Sequence, residues 1–219
     1  MITRYSCREL YDIAKFQAST GEKTESKSVE GVQGEREGLE YIGARFNLER
    51  WEDRDELIQE TGYSLEYLKR EFEERTDFER PHNPGRAFEL SPEKEKLFYS
   101  TNNVGMFTYT YSERMFRHLG KIIDLLKKDP STRQAYLSIW DRDKDQEVAG
   151  KDMVPCSLGF HFLIRNNKLT MVYFLRSLDA ERFPQDIYLS TRLIDFVAEK
   201  LGIEPRRVIF LISSLHVFF

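Results

Sequence analysis

Cys156 follows a proline and opens a run in which Leu158, Phe160, Phe162 and Ile164 alternate with Gly159, His161 and Leu163. That two-residue period is a strand's. Asn166-Asn167 is a turn signal. Leu169, Met171, Tyr173 and Leu175 alternate again, and Arg176-Ser177-Leu178-Asp179 closes the pattern. Paired antiparallel, the two strands set the cysteine that begins the first beside the Arg, Ser and Asp that end the second. A thiol next to a guanidinium, a hydroxyl and a carboxylate can become a thiolate and can hold an anion. Cys156 is thus a candidate covalent nucleophile; the alternative for a lone cysteine is a small buried hydrophobe. Arg176 with Ser177, a planar fork plus a hydroxyl, suits a phosphate.

Elements must hold these residues in place. Ser6 to Glu9 is a capping box, with Leu10, Ile13 and Ala14 following at helical spacing. Ser19 to Gly38, rich in Gly, Ser, Lys and Glu, reads as a mobile loop. Tyr41 to Leu48 reads as a strand, and Arg50 to Glu60 is charged and weakly amphipathic. Ser64 caps a helix to about Arg75, with Leu65, Leu68 and Phe72 on one face. Arg80 to Pro92, with three of the seven prolines, reads as a loop. Met115, Leu119, Ile122, Ile123 and Leu126 mark the buried face of a long helix, ended by Lys127, Lys128 and Pro130. Gln134 to Trp140 reads as a strand and Arg142 to Lys151 as a charged loop. Pro184 and Asp186 precede a helix of about Ile187 to Leu201, Gly202 caps it, and Arg207 to Ile212 is the last strand.

The 219 residues fit a single domain, 1–219, with a substantial core. A net charge of −4 without a basic block makes a nucleic acid polymer a poor partner. A monomeric nucleotide needs only a few local arginines. No run of about eighteen apolar residues predicts a membrane span, and no secretory pattern opens the chain. Cys7 and Cys156 could pair, but a chain of this kind keeps both reduced. The expectation is a cytoplasmic protein without a membrane partner.

Pro155-Cys156, Arg176-Ser177-x-Asp179 and Leu215-His216-Val217-Phe218, in that order, resemble the thymidylate synthase and deoxycytidylate hydroxymethylase family. Tyr109-Thr110-Tyr111-Ser112-Glu113-Arg114 is similar to the family's Tyr-Gly-x-x-x-Arg, and Asp129-Pro130-Ser131-Thr132-Arg133 to its Asp-Pro-x-Ser-Arg. The likeness runs with gaps from about Tyr109 to Phe218. It implies an α/β (α+β) fold, a large mixed sheet flanked by helices, whose outer face forms a sheet-to-sheet homodimer. It implies that Cys156 adds to C6 of a pyrimidine nucleoside 5′-monophosphate, so that C5 can take a one-carbon unit from 5,10-methylenetetrahydrofolate. Arg176 and Ser177 would hold the phosphate, and Arg133 would reach it from the other subunit. Asp179 would contact the pterin, Tyr109 would relay a proton at C5, and His216 would hold a sugar hydroxyl.

Each role has a plain alternative: a surface arginine for Arg133, a turn residue for Asp179, an aromatic strand residue for Tyr109. Asp186 is the most informative residue. The family carries Asn there when the base is uracil and Asp when it is cytosine, since a carboxylate accepts from the cytosine N4 amino group. An ordinary helix N-cap is the alternative. Departures also occur. Gln134 replaces a second arginine, Ser157 a histidine, Ser214 an aspartate and Phe218 a tyrosine. No arginine lies between Arg8 and Arg36, leaving Lys23, Lys27 or Arg36 as substitutes for a phosphate ligand. Glu56, Glu60 and Trp51 are candidates by type only for the family's catalytic glutamate and folate-stacking tryptophan. The resemblance implies hydroxymethylation of (d)CMP first, methylation of dUMP second, and a nucleotide-binding homologue without turnover third.

Overall fold

The computed structural model describes residues 5–29, 32–90, 106–149 and 153–219, without the side chains of 26–36. Six strands form one sheet: β1 (Glu22–Val29), β2 (Val32–Leu48), β3 (Tyr136–Ser138), β4 (Ser157–Arg165), β5 (Lys168–Asp179) and β6 (Glu204–Phe218). Their order is β1-β2-β6-β5-β4-β3, and every pairing is antiparallel except β5 with β6. The sheet is therefore mixed, as expected. The parallel pair needs a crossover, supplied by α7 (Phe183–Leu201), the longest described helix. It packs on β5 and β6, and α1 (Cys7–Ser19) packs on β2 and β6. No helix among the described residues is long and apolar enough to cross a membrane.

The predicted hairpin is present. Asn166 and Asn167 take φ of 54° and 56°, which a two-residue turn matched to strand twist requires. The capping box forms as the sequence predicts: Ser6 Oγ accepts from Glu9 N–H, and the Glu9 carboxylate accepts from Ser6 N–H. Ser64 caps α3 (Leu65–Arg75), and Gly202 ends α7 with φ of 67°.

Several expectations are corrected. Ser19 to Gly38 contains not a loop but β1 and the first part of β2; backbone pairing stabilises a stretch whose side chains show no alternation. Arg54–Glu60 forms a short helix, α2, and Arg86–Leu90 a 3₁₀ turn. The long helix is two helices, α4 (Tyr111–Met115) and α5 (His118–Lys128), because Arg117 adopts a left-handed φ of 62° between them. The charged loop after Trp140 contains α6 (Arg142–Val148), capped by Asp141. Arg114 pairs with Asp141 at 3.0 Å and with the buried Asp145 at 2.5 Å. A charged sequence thus conceals an ion pair against the core. Trp140 and Gln134 flank β3 rather than belong to it.

One irregularity shapes the site. Core-facing residues along a strand are normally an even number apart. Here Leu175 and Leu178 of β5 are both buried, as are Ile212 and Leu215 of β6, while Ala44 and Tyr41 of β2 both pack on the core. These residues are in register across all three strands. The side-chain phase flips at one level of the sheet, and Gly43 takes the positive φ of 77° that the bend in β2 requires. Beyond the flip, Ser177, Asp179, Ser214, His216 and Glu40 alternate with the core-facing Leu178, Leu215 and Tyr41.

The outer strands are tightly joined at Gly159. A Cβ there would lie 2.5 Å from the Leu137 carbonyl oxygen and 2.5 Å from the Tyr136 phenol oxygen. The carbonyl belongs to a paired strand and cannot swing aside. Gly159→Ala is expected to lower unfolding free energy by about 1–3 kcal/mol. Chemical denaturation measures it, and an unchanged midpoint would show that the β3–β4 edge yields.

Candidate functional site

Cys156 lies half-buried immediately before β4 and is not in a disulfide. Its carbonyl oxygen accepts from Arg176 N–H at 2.9 Å. The Arg176 guanidinium donates from Nε to the Pro155 carbonyl at 3.0 Å and from Nη2 to the Val154 carbonyl at 3.2 Å. A planar fork on two successive carbonyls fixes the segment that presents the thiol. The sequence brings Cys156 and Arg176 together as expected, and the fork adds a task for Arg176: holding backbone. Cys7 differs in kind. It is fully buried, and burial, aided by Asp53, pushes its thiol well above the ordinary range. Only the thiolate is a nucleophile, so of the two cysteines Cys156 is the one suited to react.

A chain of buried hydroxyls begins beside Cys156. Ser157 Oγ is hydrogen-bonded to Tyr111 Oη at 3.1 Å and to Tyr173 Oη. Tyr173 Oη donates to Asp186 Oδ1 at 2.8 Å. Burial raises the Tyr173 phenol, and the Asp186 charge adds to it. Tyr111 is raised by burial first and by Cys156 second. Both phenols therefore remain protonated near neutral pH. Phe160 stacks on Tyr173 with centroids 4.4 Å apart, which fixes the ring that carries this contact.

Asp186 stands in the first turn of α7, whose N-cap is Arg182. The N-cap alternative for Asp186 does not hold: the helix starts at Phe183, earlier than the sequence suggests, and the carboxylate points inward to Tyr173. A carboxylate is favoured near a helix N-terminus in any case.

On the far side of Tyr111, Arg75 places its Cζ 4.0 Å from the Tyr111 ring centroid. Its side chain is 11% exposed and pairs with Glu71. Burial opposes the Arg75 charge and Glu71 more than offsets this. Arg75, Glu71 and Glu74 share an open cleft with Tyr67, Phe107 and Tyr109. Glu74 is buried and accepts from Ala87 N–H at 3.0 Å; burial raises its carboxyl. Tyr109 is buried, edge-on to Tyr111 at 6.0 Å and near the Arg114 guanidinium. Tyr109 thus lines the cleft, while Tyr111 carries the polar contact next to Cys156.

The remaining predicted residues divide. Ser177 and Asp179 end β5, in register with Ser214 and His216 of β6. Asp179 Oδ1 accepts from Glu181 N–H at 3.0 Å, so its turn-residue role is real. His216 Nδ1 lies 3.3 Å from Ser214 Oγ, and its ring packs on Phe218 at 4.7 Å. Arg133 is not gathered with them. It is exposed, and its carbonyl meets His161 Nε2 at 3.0 Å. His161 is five residues beyond Cys156 along the chain, about 16 Å at the rise of a strand. Glu60 pairs at the surface with Arg8 at 2.5 Å, and Glu56 is exposed. Trp51 Nε1 donates to Asp195 Oδ1 at 3.1 Å, a structural contact. Lys23 is exposed on β1; the side chains of Lys27 and Arg36 lie outside the described residues.

Tyr111, Tyr173, Arg75 and Glu71 were not singled out from sequence. Tyr173 reads as one apolar member of an alternating strand, and nothing in the sequence distinguishes a hydrogen-bonded core tyrosine from a packed one. Glu71 and Arg75 carry a faint signal, an i,i+4 acid–base pair.

Comparisons with known proteins bear on the family and the fold. A family model described as thymidylate synthase matches residues 50–219. A protein of Methanosarcina mazei named "Putative thymidylate synthase" is 32% identical over 133 residues, which cover 58% of this chain and 60% of that protein. A Methanocaldococcus jannaschii protein of the same name is 28% identical over 193 residues, covering 75% of this chain and 85% of its own length. Among solved structures, thymidylate synthase from T4 phage superposes with a TM-score of 0.70 at 16% identity, covering 97% of this chain and 77% of that one. That likeness carries the fold. From the match over residues 50–219, the chain belongs to the thymidylate synthase family.

Proposed function

We propose that this protein transfers a one-carbon unit to C5 of a pyrimidine nucleoside 5′-monophosphate, and that the preferred reaction is hydroxymethylation of a cytosine nucleotide. The observation that carries the proposal is the hydroxyl chain from Ser157, next to Cys156, through Tyr173 to Asp186. It ties the candidate nucleophile and the candidate base-reading carboxylate into one rigid unit. Methylation of dUMP is the second reading, supported by relatives whose names are those of thymidylate synthases. A nucleotide-binding homologue without turnover is the third.

The Cys156 thiolate adds to C6 of the pyrimidine, and the electron pair moves to C5. C5 then forms its bond to the one-carbon unit. The C5 proton leaves and its electron pair expels the tetrahydrofolate nitrogen, giving an exocyclic methylene; in the hydroxymethyl outcome water adds to that carbon, and the pair returned to C5 expels the thiolate from C6. Methylenetetrahydrofolate is the co-substrate proposed, supplying that carbon at the methylene level. The lining of the cleft suits the chemistry of a flat heteroaromatic ring: Tyr67, Phe107, Tyr109 and Tyr111 wall it, and Glu71 and Arg75 give it polar atoms. Asp179 is the residue proposed to face the pterin. Ser177 and Arg176 are proposed for the nucleotide phosphate. Arg176 spends Nε and Nη2 on the Pro155 and Val154 carbonyls, which leaves Nη1 for an anion. Tyr109 is proposed as the proton relay at C5, acting beside Tyr111.

Asp186 supports cytosine. An ionised carboxylate is acceptor-only. Held by Tyr173, it suits the N4 amino group and faces uracil O4 with like polarity. Arg133 is proposed to act in a homodimer, reaching the phosphate of the partner's site. Its exposure and its distance from Cys156 within one chain support this, as do the half-exposed Tyr136, His161 and Phe174 gathered on the sheet beside it.

Three measurements test the reading. Incubation with methylenetetrahydrofolate and each of dCMP, CMP, dUMP and UMP, with the product identified by mass, is expected to give a hydroxymethyl cytosine nucleotide. A methylated uracil nucleotide would establish the second reading. Cys156→Ala is expected to lower kcat by roughly 10⁴-fold or more with the fold intact; inactivation by Cys7→Ala instead would refute the assignment. Asp186→Asn should move the kcat/KM ratio of dCMP to dUMP towards dUMP by roughly 10²-fold, below the roughly 10⁴-fold of a fully buried polar site, because Asp186 is half-buried. An unchanged ratio would place base reading elsewhere.

Arg133 is tested by mixing. Two inactive proteins, Cys156→Ala and Arg133→Ala, should regain activity together, since a mixed dimer assembles one intact site. No recovery after verified subunit exchange counts against a shared site.

A further inference from the structure

By register, His216 lies between two carboxylates: Glu40 of β2 and Asp179 of β5 are both its Cα partners. Asp179 turns to its own chain, accepting from Glu181 N–H. Glu40 turns towards β6. Ser214 Oγ donates to Glu40 Oε1 in a short hydrogen bond, and the same oxygen lies 3.3 Å from His216 Nδ1. A hydroxyl has one proton to give. A hydrogen bond to a carboxylate is about twice as strong as a neutral one, so the proton points to Glu40. Ser214 can then only accept from the imidazole. In the neutral ring Nδ1 must therefore carry the proton, and Nε2 holds the lone pair.

We propose that Glu40 is a positioning residue for His216: acting through Ser214, it fixes the Nδ1–H tautomer, so that Nε2 accepts a hydrogen bond from the 3′-hydroxyl of the nucleotide sugar. Phe218 packs on the ring and steadies it without offering a polar atom. The carboxylate behind the histidine therefore comes from the neighbouring strand, while position 214 of β6 itself carries only a hydroxyl. The sugar contact rests on the nucleotide reading above; the tautomer does not.

The test has two parts, so the two readings fail separately. Long-range ¹H–¹⁵N spectra of the four imidazoles, with His216→Gln for assignment, report the tautomer without any ligand. The wild type is expected to show Nδ1–H. In Glu40→Ala the Ser214 proton is released to Nδ1 and the ring should switch to Nε2–H. Glu40→Gln, which keeps an acceptor oxygen, should restore Nδ1–H. Ser214→Ala cuts the same link from the other end and should also release the tautomer. A wild-type Nε2–H ring, or a tautomer unmoved by both Glu40→Ala and Ser214→Ala, overturns the proposal. With dCMP, Glu40→Ala should raise KM about tenfold, the loss of one good hydrogen bond, with little change in kcat. The 2′,3′-dideoxy analogue should show no such rise. Equal losses for both nucleotides would show a purely structural role. If dCMP does not bind the wild type at all, the nucleotide reading falls, and the spectra still decide the role of Glu40.

Discussion

Polar groups taken out of water must find partners, and this constraint organises the centre of the molecule. An unpaired buried hydroxyl or carboxylate costs about 1–3 kcal/mol. Ser157 is fully buried and Tyr173 almost so, and each is satisfied by the next in line, ending on Asp186. The three residues come from β4, β5 and α7. Their hydrogen bonds fix how the helix sits on the sheet as well as how the site is arranged. The same bonds keep Tyr173 protonated and a donor, so the direction of the chain is set: hydroxyls towards the carboxylate.

Arg176 works by the same logic at the rim. Its bonds to Val154 and Pro155 hold an irregular segment that no ladder would otherwise restrain. The cysteine is placed by a cation that binds backbone. Rigid placement of a nucleophile by residues that do no chemistry themselves is what a preorganised site requires.

The hairpin of β4 and β5, the capping box of α1 and the Gly202 stop of α7 were legible in the sequence, because each is local and each has a residue type that its geometry demands. The loop expected over Ser19 to Gly38 failed because backbone pairing in a hairpin, which no alternation of side chains announces, made strands of a polar stretch. The helix α6 was hidden because its charges are satisfied by Arg114, far away in sequence. Within the site, Cys156, Arg176 and Asp186 could be picked out by motif. Tyr173 and Glu40 could not. Their roles depend on which partner lies opposite in the folded sheet, at separations of 13 residues for Tyr173 with Asp186 and 174 for Glu40 with Ser214.

The strand order has a consequence for how the chain is made. β6 lies at the middle of the sheet, between β2 and β5, yet it is synthesised after the other five described strands. Until it arrives, the β1–β2 hairpin and the β4–β5 hairpin each present a long unpaired edge, and such edges recruit other chains. Pairing β2 with β6 also joins segments far apart in the sequence, the kind of distant contact that slows folding. Newborn chains are thus exposed to misassembly until β6 inserts, and His216, carried by that strand, meets Glu40 and Asp179 only with its insertion.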